Sequence, residues 1–383
     1  MRIVAVVMPP ADNFTLSAAA VSYCHSPRPK TCRPCSPPLV TTIHETRHMT
    51  SRELVYQTLH RENPHRVPRE LWTLPGAASM YPEECAALWR EFPADFTGID
   101  GHARQPAPIK GDPYIVGESV DAWGCTFVNI QHGVHGEVKD PLVKDWPTDC
   151  ARIHVPREWL TIDRDAINRD CAATGLFTSA GANPRPFEQL QFLRGTEELY
   201  MDLLDPPPAL RAFLREMHEF YCAQLTGWAQ TDVDSLRFMD DWGSQRALLI
   251  APALWREWFK PLYRDYVQIA HSHGKKIFMH SDGYILDIIP DLIEIGVDAL
   301  NSQIFCMGLE PLAPFGGQIT FWGEIDRQHL LSVGTPAEVA QAVRAVHRQL
   351  WRNGGCIAQC EFGPGGQPAN VRQVFQTWNE VLQ

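Results

Sequence analysis

The chain has 383 residues, 44% of them hydrophobic, and a formal net charge of −11. That is enough apolar material for one α/β barrel with an extension, and an acidic chain with no basic stripe argues against a nucleic-acid partner. No window approaches the roughly 18–20 consecutive apolar residues of a membrane-spanning helix, and eleven cysteines without a regular framework fit reduced thiols in a cytoplasm better than disulfides.

Residues 1–48 read unlike the rest. A short apolar run, Ile3 to Met8, gives way to Pro-, Ser- and Cys-rich chain holding Cys24, Cys32 and Cys35, with no sustained period of either kind. Cys32 and Cys35 have the gap of a zinc knuckle but no second pair follows. The apolar run is short for a signal peptide and lacks a convincing cleavage site. The segment therefore reads as a disordered leader or as sequence ahead of the working start, which would be Met49, with one domain over 49–383. From there the character changes: Thr50 or Ser51 can cap a helix whose apolar face is Leu54, Val55, Thr58 and Leu59.

Val67 to Leu74 reads as a strand. Tyr114 to Asp140 reads as an antiparallel insertion, with hairpins around Trp123 to Gln131 and Gly136 to Val138. Leu176 to Ala180 is the next strand, and the Pro206, Pro207, Pro208 run ends one helix and opens another. Beyond it, β-rich runs at Ser235 to Met239, Lys276 to Met279, Ala299 to Gln303, Ile319 to Trp322 and Cys356 to Gln359 each end in polar residues. Helical patterns lie between and after them, at Pro252 to His273, Ile285 to Ile295, Pro336 to Trp351 and from Ala369. Such alternation implies parallel strands with crossover helices. No Gly-rich phosphate turn follows an early strand, so the expected fold is an α/β (β/α)8 TIM barrel with a β-rich insertion in its first half, rather than a doubly wound sheet.

In such a barrel the C-terminal strand ends share one face, where chemistry is placed. Asp240, Asp241, His280, Asp282, Asn301, Gln303, Glu324, Asp326, Cys360 and Glu361 all fall at or just past strand ends. His280 and Asp282, one residue apart on extended chain, point to the same side and can share an ion. The alternative is a core histidine beside a helix N-cap. Cys360 is followed at once by Glu361 and the turn residues Gly363, Pro364, Gly365 and Gly366, which puts it at a loop mouth, although a buried thiol also packs as a small hydrophobe, as expected of Cys356. Asp240 or Asp241 offers a further ligand or a general base, and Glu324 a catalytic carboxylate. Asn301, Gln303, Trp242 and Trp322 are expected to contact substrate or to support the groups that do. With Phe305 and Met307, the two tryptophans form either pocket walls for a flat ligand or a barrel plug.

The run from Phe238 to Asn370 resembles the uroporphyrinogen decarboxylase (URO-D) superfamily, above all its cobalamin-dependent branch, the methylcobalamin:coenzyme M methyltransferases. The resembling stretches are Met239-Asp240-Asp241-Trp242-Gly243, His280-Ser281-Asp282-Gly283, Ile295-Gly296-Val297-Asp298-Ala299-Leu300-Asn301 and Trp322-Gly323-Glu324-Ile325-Asp326, with a weaker echo at Arg66-Val67-Pro68. The resemblance implies a zinc site formed by a His-x-Cys-Gly turn and a later Cys ten residues before the Asn that opens the last helix. Here His280 matches the His, Asp282 stands where the first Cys would be, and Cys360 precedes Asn370 by that interval. A carboxylate in place of a thiolate makes a harder N/O/S site, still acceptable to zinc.

The resemblance thus implies zinc-dependent transfer of a methyl group between a corrinoid, carried by a separate corrinoid protein, and a small thiol or methoxylated substrate. His280, Asp282 and Cys360 would be the metal ligands. An alternative is decarboxylation of the uroporphyrinogen type, although the arginine-rich loop expected of those enzymes has no convincing counterpart around Arg61, Arg66 and Arg69. A further alternative is a barrel that binds a corrinoid or porphyrin without chemistry.

Overall fold

The structure is a computed structural model that describes residues 49–382; the reading of residues 1–48 concerns chain outside that range. Eight parallel strands form a nearly closed barrel: β1 Arg69–Thr73, β2 Phe96–Ile99, β3 Phe177–Ala180, β4 Ser235–Met239, β5 Lys276–Ser281, β6 Ala299–Ser302, β7 Thr320–Trp322 and β8 Cys356–Phe362. Neighbours in sequence are neighbours in the sheet from β2 to β8, and β8 then pairs with β1, Leu71 opposite Cys360 and Trp72 opposite Glu361. This is the (β/α)8 TIM barrel expected.

The seam between β1 and β2 is held by Asp95, which is 1% exposed. Its N–H donates to the Arg69 carbonyl at 3.0 Å. Its carboxylate accepts from the Arg69 N–H at 2.8 Å, from both terminal nitrogens of Arg66 at 2.7 and 2.6 Å, and from the Ser51 hydroxyl at 2.6 Å. A buried carboxylate so fully satisfied is tolerable where an unpaired one would not be.

The β-rich insertion is a three-stranded antiparallel sheet of Gly117–Val120, Thr126–Asn129 and Glu137–Val138. The helix expected over Pro252 to His273 is two, Pro252–Trp258 and Lys260–Ser272, because Pro261 cannot donate its missing N–H inside a helix and instead occupies the first turn of the second. No helix of the described residues is long and apolar enough to cross a membrane.

Strand alternation sorts the barrel residues into two environments. One set packs outward into the large cluster beneath the helices and includes Leu236, Phe238, Ile277, Met279, Phe321, Cys356, Ala358 and Cys360. The other points into the barrel, where Phe96, Phe177, Phe278, Ala299, Trp322 and Ile357 form a separate apolar layer. Val55 and Leu59 join that layer from the helix Ser51–His60, so this helix stoppers the barrel. It is started by a reciprocal Thr50–Glu53 capping box and ended by Arg61 in the left-handed region, φ 60°. The inward positions that follow the apolar layer toward the C-terminal ends are polar: His280 after Phe278, Asn301 after Ala299, Glu324 after Trp322, Gln359 and Glu361 after Ile357.

Candidate metal centre

Three side chains converge at the ends of β4 and β5. Ligand atoms of Asp241, His280 and Asp282 all lie within 4.8 Å of one another. His280 Nε2 is 3.5 Å from Asp241 Oδ1 and 3.8 Å from Asp282 Oδ1. The loops that carry them are locked together by two glycines. A Cβ on Gly283, whose φ is +80°, would lie 2.0 Å from the Gly243 carbonyl oxygen, and one on Gly243 would lie 2.2 Å from the Tyr284 nitrogen. Only glycine allows that approach. It lets the Gly243 N–H reach the Asp282 carbonyl at 3.1 Å and the Asp282 N–H reach Asp241 Oδ1 at 2.9 Å.

The orientation of the imidazole is fixed from behind. Asn301 donates its amide N–H to the Trp322 carbonyl, which can only accept, so its Oδ1 must face His280 Nδ1, at 2.6 Å. An amide oxygen accepts, hence Nδ1 carries the proton and Nε2 is aimed at the two carboxylates. Neither His280 Nε2 nor Asp282 Oδ1 has a hydrogen-bond partner among the described residues, although both are buried. Without a metal ion the geometry favours an imidazolium: burial opposes the charge, but Asp241 and Asp282 outweigh it and push the pKa up to about 9. Burial likewise opposes the charge on Asp241, yet His280 and the Asp282 N–H draw its pKa down to about 2.

Beside this group lies Arg327, which sequence reasoning did not single out. Its guanidinium donates to Asp282 Oδ2, to Glu324 at 3.2 Å and to Glu361 at 2.6 Å. Burial, then the neighbouring Asp282 and Glu361, push Glu324 up to about 8 despite Arg327, and burial also raises Glu361. Asp282 is thus shared, one oxygen toward His280 and the other on Arg327. Arg327 follows β7 by several residues in an irregular loop, where no periodicity marks it; the only cue is a cation beside strand ends otherwise rich in carboxylates.

The other expected site residues lie elsewhere. Asp240 is fully buried and faces outward: its carboxylate accepts from the N–H groups of Phe187 at 3.1 Å and Glu188 at 2.7 Å and from the Tyr263 hydroxyl, anchoring the first turn of helix Pro186–Arg194. Burial nonetheless raises its pKa well above the carboxylate range. Trp242 stacks on Phe187 at 4.0 Å and donates to Tyr263 Oη at 2.8 Å. Trp322 lies within the barrel and donates to Glu70 at 2.8 Å. Gln303 accepts from the Gly283 N–H at 3.3 Å. Cys360 is not gathered with the triad; it is fully buried in the outer cluster, and Glu361, one position on, faces the mouth. Burial holds its thiol well above the ordinary range.

Residues 122–381 match the family model described as uroporphyrinogen decarboxylase (URO-D), which is more than half of the chain. The chain belongs to the URO-D family. Within this family's fold the triad and Arg327 sit where a barrel enzyme places its chemistry. Among solved structures, the chain is similar to a methyltransferase from Methanosarcina mazei, with 14% identity, a TM-score of 0.61, and coverage of 88% of this chain and 100% of that one. It also matches a D-psicose 3-epimerase crystallised in the presence of D-fructose at 12% identity, TM-score 0.34, covering 56% of this chain and 78% of that one. No curated protein matches the sequence.

Proposed function

We propose that this URO-D family member is a zinc-dependent methyltransferase, moving a methyl group between a corrinoid on a separate protein and a small thiol or methoxylated substrate. The observation that carries the reading is the pair of buried atoms without hydrogen-bond partners, His280 Nε2 and Asp282 Oδ1, converging with Asp241. One nitrogen and two carboxylates form a donor set that zinc accepts, and a histidine whose other nitrogen is held by Asn301 is the usual arrangement of a metal-ligating imidazole. In this reading Asp241 stands as the third donor, with Cys360 outside the set.

Zinc bound there would lower the pKa of a coordinated thiol or alcohol and hold the resulting anion. The chain's own residues prepare the place. Asn301 keeps Nε2 aimed at the donors, and Arg327 holds the outer oxygen of Asp282 so that its other oxygen stays turned to the triad. Glu324, whose carboxyl is pushed up by burial, can exchange a proton with a group entering the mouth.

Elemental analysis of protein purified without chelator or tag-borne metal tests this first. About one zinc per chain, absent from His280→Ala, together with demethylation of methylcobalamin in the presence of a thiol acceptor, is the expected result. No zinc bound and none taken up on addition would overturn the proposal, and consumption of uroporphyrinogen by the pure protein would put decarboxylation in its place.

A further inference from the structure

One cavity lies apart from the triad. About 380 Å³ lies open between the C-terminal ends of β2 and β3, the helix Pro208–Ala229, and residues of the long excursion that joins β2 to β3. None of its lining residues belongs to the Asp241, His280, Asp282 group. Its volume falls within the range of small-molecule sites, roughly 300–1,000 Å³.

Four rings wall it: Trp123, Trp159, Tyr221 and Trp228. Three of them are fixed rather than loose. Trp123 and Tyr221 are each 2% exposed and Trp228 5%, and Trp123 is braced edge-on against Phe220, with ring centroids 5.5 Å apart, and tilted against Tyr221 at 5.8 Å. Preformed aromatic plates of this kind present flat apolar surface that solvent wets poorly.

Polar groups stand among the plates. Gln224, on the same helix as Tyr221 and Trp228, is 6% exposed and lines the cavity with its amide. Arg185, whose side chain is 12% exposed, donates a single long hydrogen bond, 3.4 Å to Glu188. The guanidinium has five N–H donors in a planar fork, so most of its capacity is left for a ligand. Arg185 is ion-paired with Glu188 through one nitrogen only, and the rest of the fork, beside aromatic plates, suits a planar carboxylate bound by two parallel hydrogen bonds.

We propose that this cavity is a second binding site, for a flat aromatic molecule bearing a carboxylate. The rings lie between the indoles, the carboxylate pairs with Arg185, and the Gln224 amide takes a polar ring substituent or a water. The site does not depend on the metal chemistry proposed above, and its test is separable from it.

Isothermal titration of the full chain with 2-naphthoate reads the site directly, with 2-naphthalenemethanol as the same rings without charge and cyclohexanecarboxylate as the charge without a flat ring. One equivalent of 2-naphthoate is expected to bind, and either control to bind about tenfold or more weakly. Arg185→Gln should weaken 2-naphthoate about tenfold or more while closing the gap between it and the alcohol. Trp228→Leu should weaken all aromatic probes, and Gln224→Leu, which keeps the helix and its packing, serves should Trp228→Leu fail to fold. Zinc content should be unchanged in every variant. No binding of 2-naphthoate, equal binding of acid and alcohol, or binding unaltered by both Arg185→Gln and Gln224→Leu would each overturn the proposal.

Discussion

The two halves of the barrel mouth solve the problem of burying polar groups in opposite ways. Past β4 to β8, carboxylates and cations crowd until nearly every charge leans on another: Asp241 on His280, Asp282 and Glu361 on Arg327. Past β2 and β3, rigid rings enclose open space, and Arg185 and Gln224 line it. Buried charges must satisfy each other, so they draw together and leave room for an ion at most. Aromatic plates hold their shape and leave room for a molecule.

Breaking the charged half should produce the largest effects. His280→Ala is expected to abolish zinc binding outright, read by elemental analysis, while leaving 2-naphthoate binding in the other half intact. Arg327→Gln leaves Asp282, Glu324 and Glu361 without the cation they share and should cost about 3–5 kcal/mol in urea unfolding; a change under about 1 kcal/mol would mean that the acids shed their charge without it.

Glu324→Gln sharpens the comparison through pH. The folded pKa of Glu324, about 8, lies above the ordinary carboxyl value of 4.5, so the fold favours the protonated acid and ionisation destabilises it. Wild type should therefore lose stability as pH rises from about 5 to about 8, by up to a few kcal/mol, and the glutamine variant should be spared that loss. Unfolding midpoints at pH 5 and 8.5 check the sign. Asn301→Leu frees His280 Nδ1 and should weaken zinc about 10- to 100-fold in competition with a chromophoric chelator. The smallest effect is expected at Cys360→Ala: about 1 kcal/mol of lost packing and unchanged zinc content, whereas loss of the metal would return the thiol to the ligand set.

The charged half was also the more legible. Strands β4 to β8 announce themselves as β-rich runs ending in polar residues, and period-two spacing put His280 and Asp282 on one side. The same period, counted from Ile357, reaches Glu361 and passes over Cys360, so the choice between those neighbours was available in the sequence and turned on which residue of β8 faces inward. Strand β2 escaped because Phe96-Thr97-Gly98-Ile99 is four residues long with a glycine inside it, too little for a pattern. The aromatic cavity escaped for a different reason: Trp123, Trp159, Tyr221 and Trp228 come from separate segments, and nothing local in any one of them records that the others are near.

The pairing that closes the barrel has a bearing on how the chain is made. Leu71 and Cys360 become partners, yet they lie near opposite ends of the described chain, so the ring cannot shut until β8 has been made. Until then β1 and β7 each present a row of unmatched N–H and C=O groups. Contacts so distant in sequence form slowly because the intervening loop must be ordered first. A nascent chain halted anywhere before Cys356 is therefore an open sheet with two sticky rims, and it is this unfinished form, rather than the completed barrel, that a chaperone would be expected to meet.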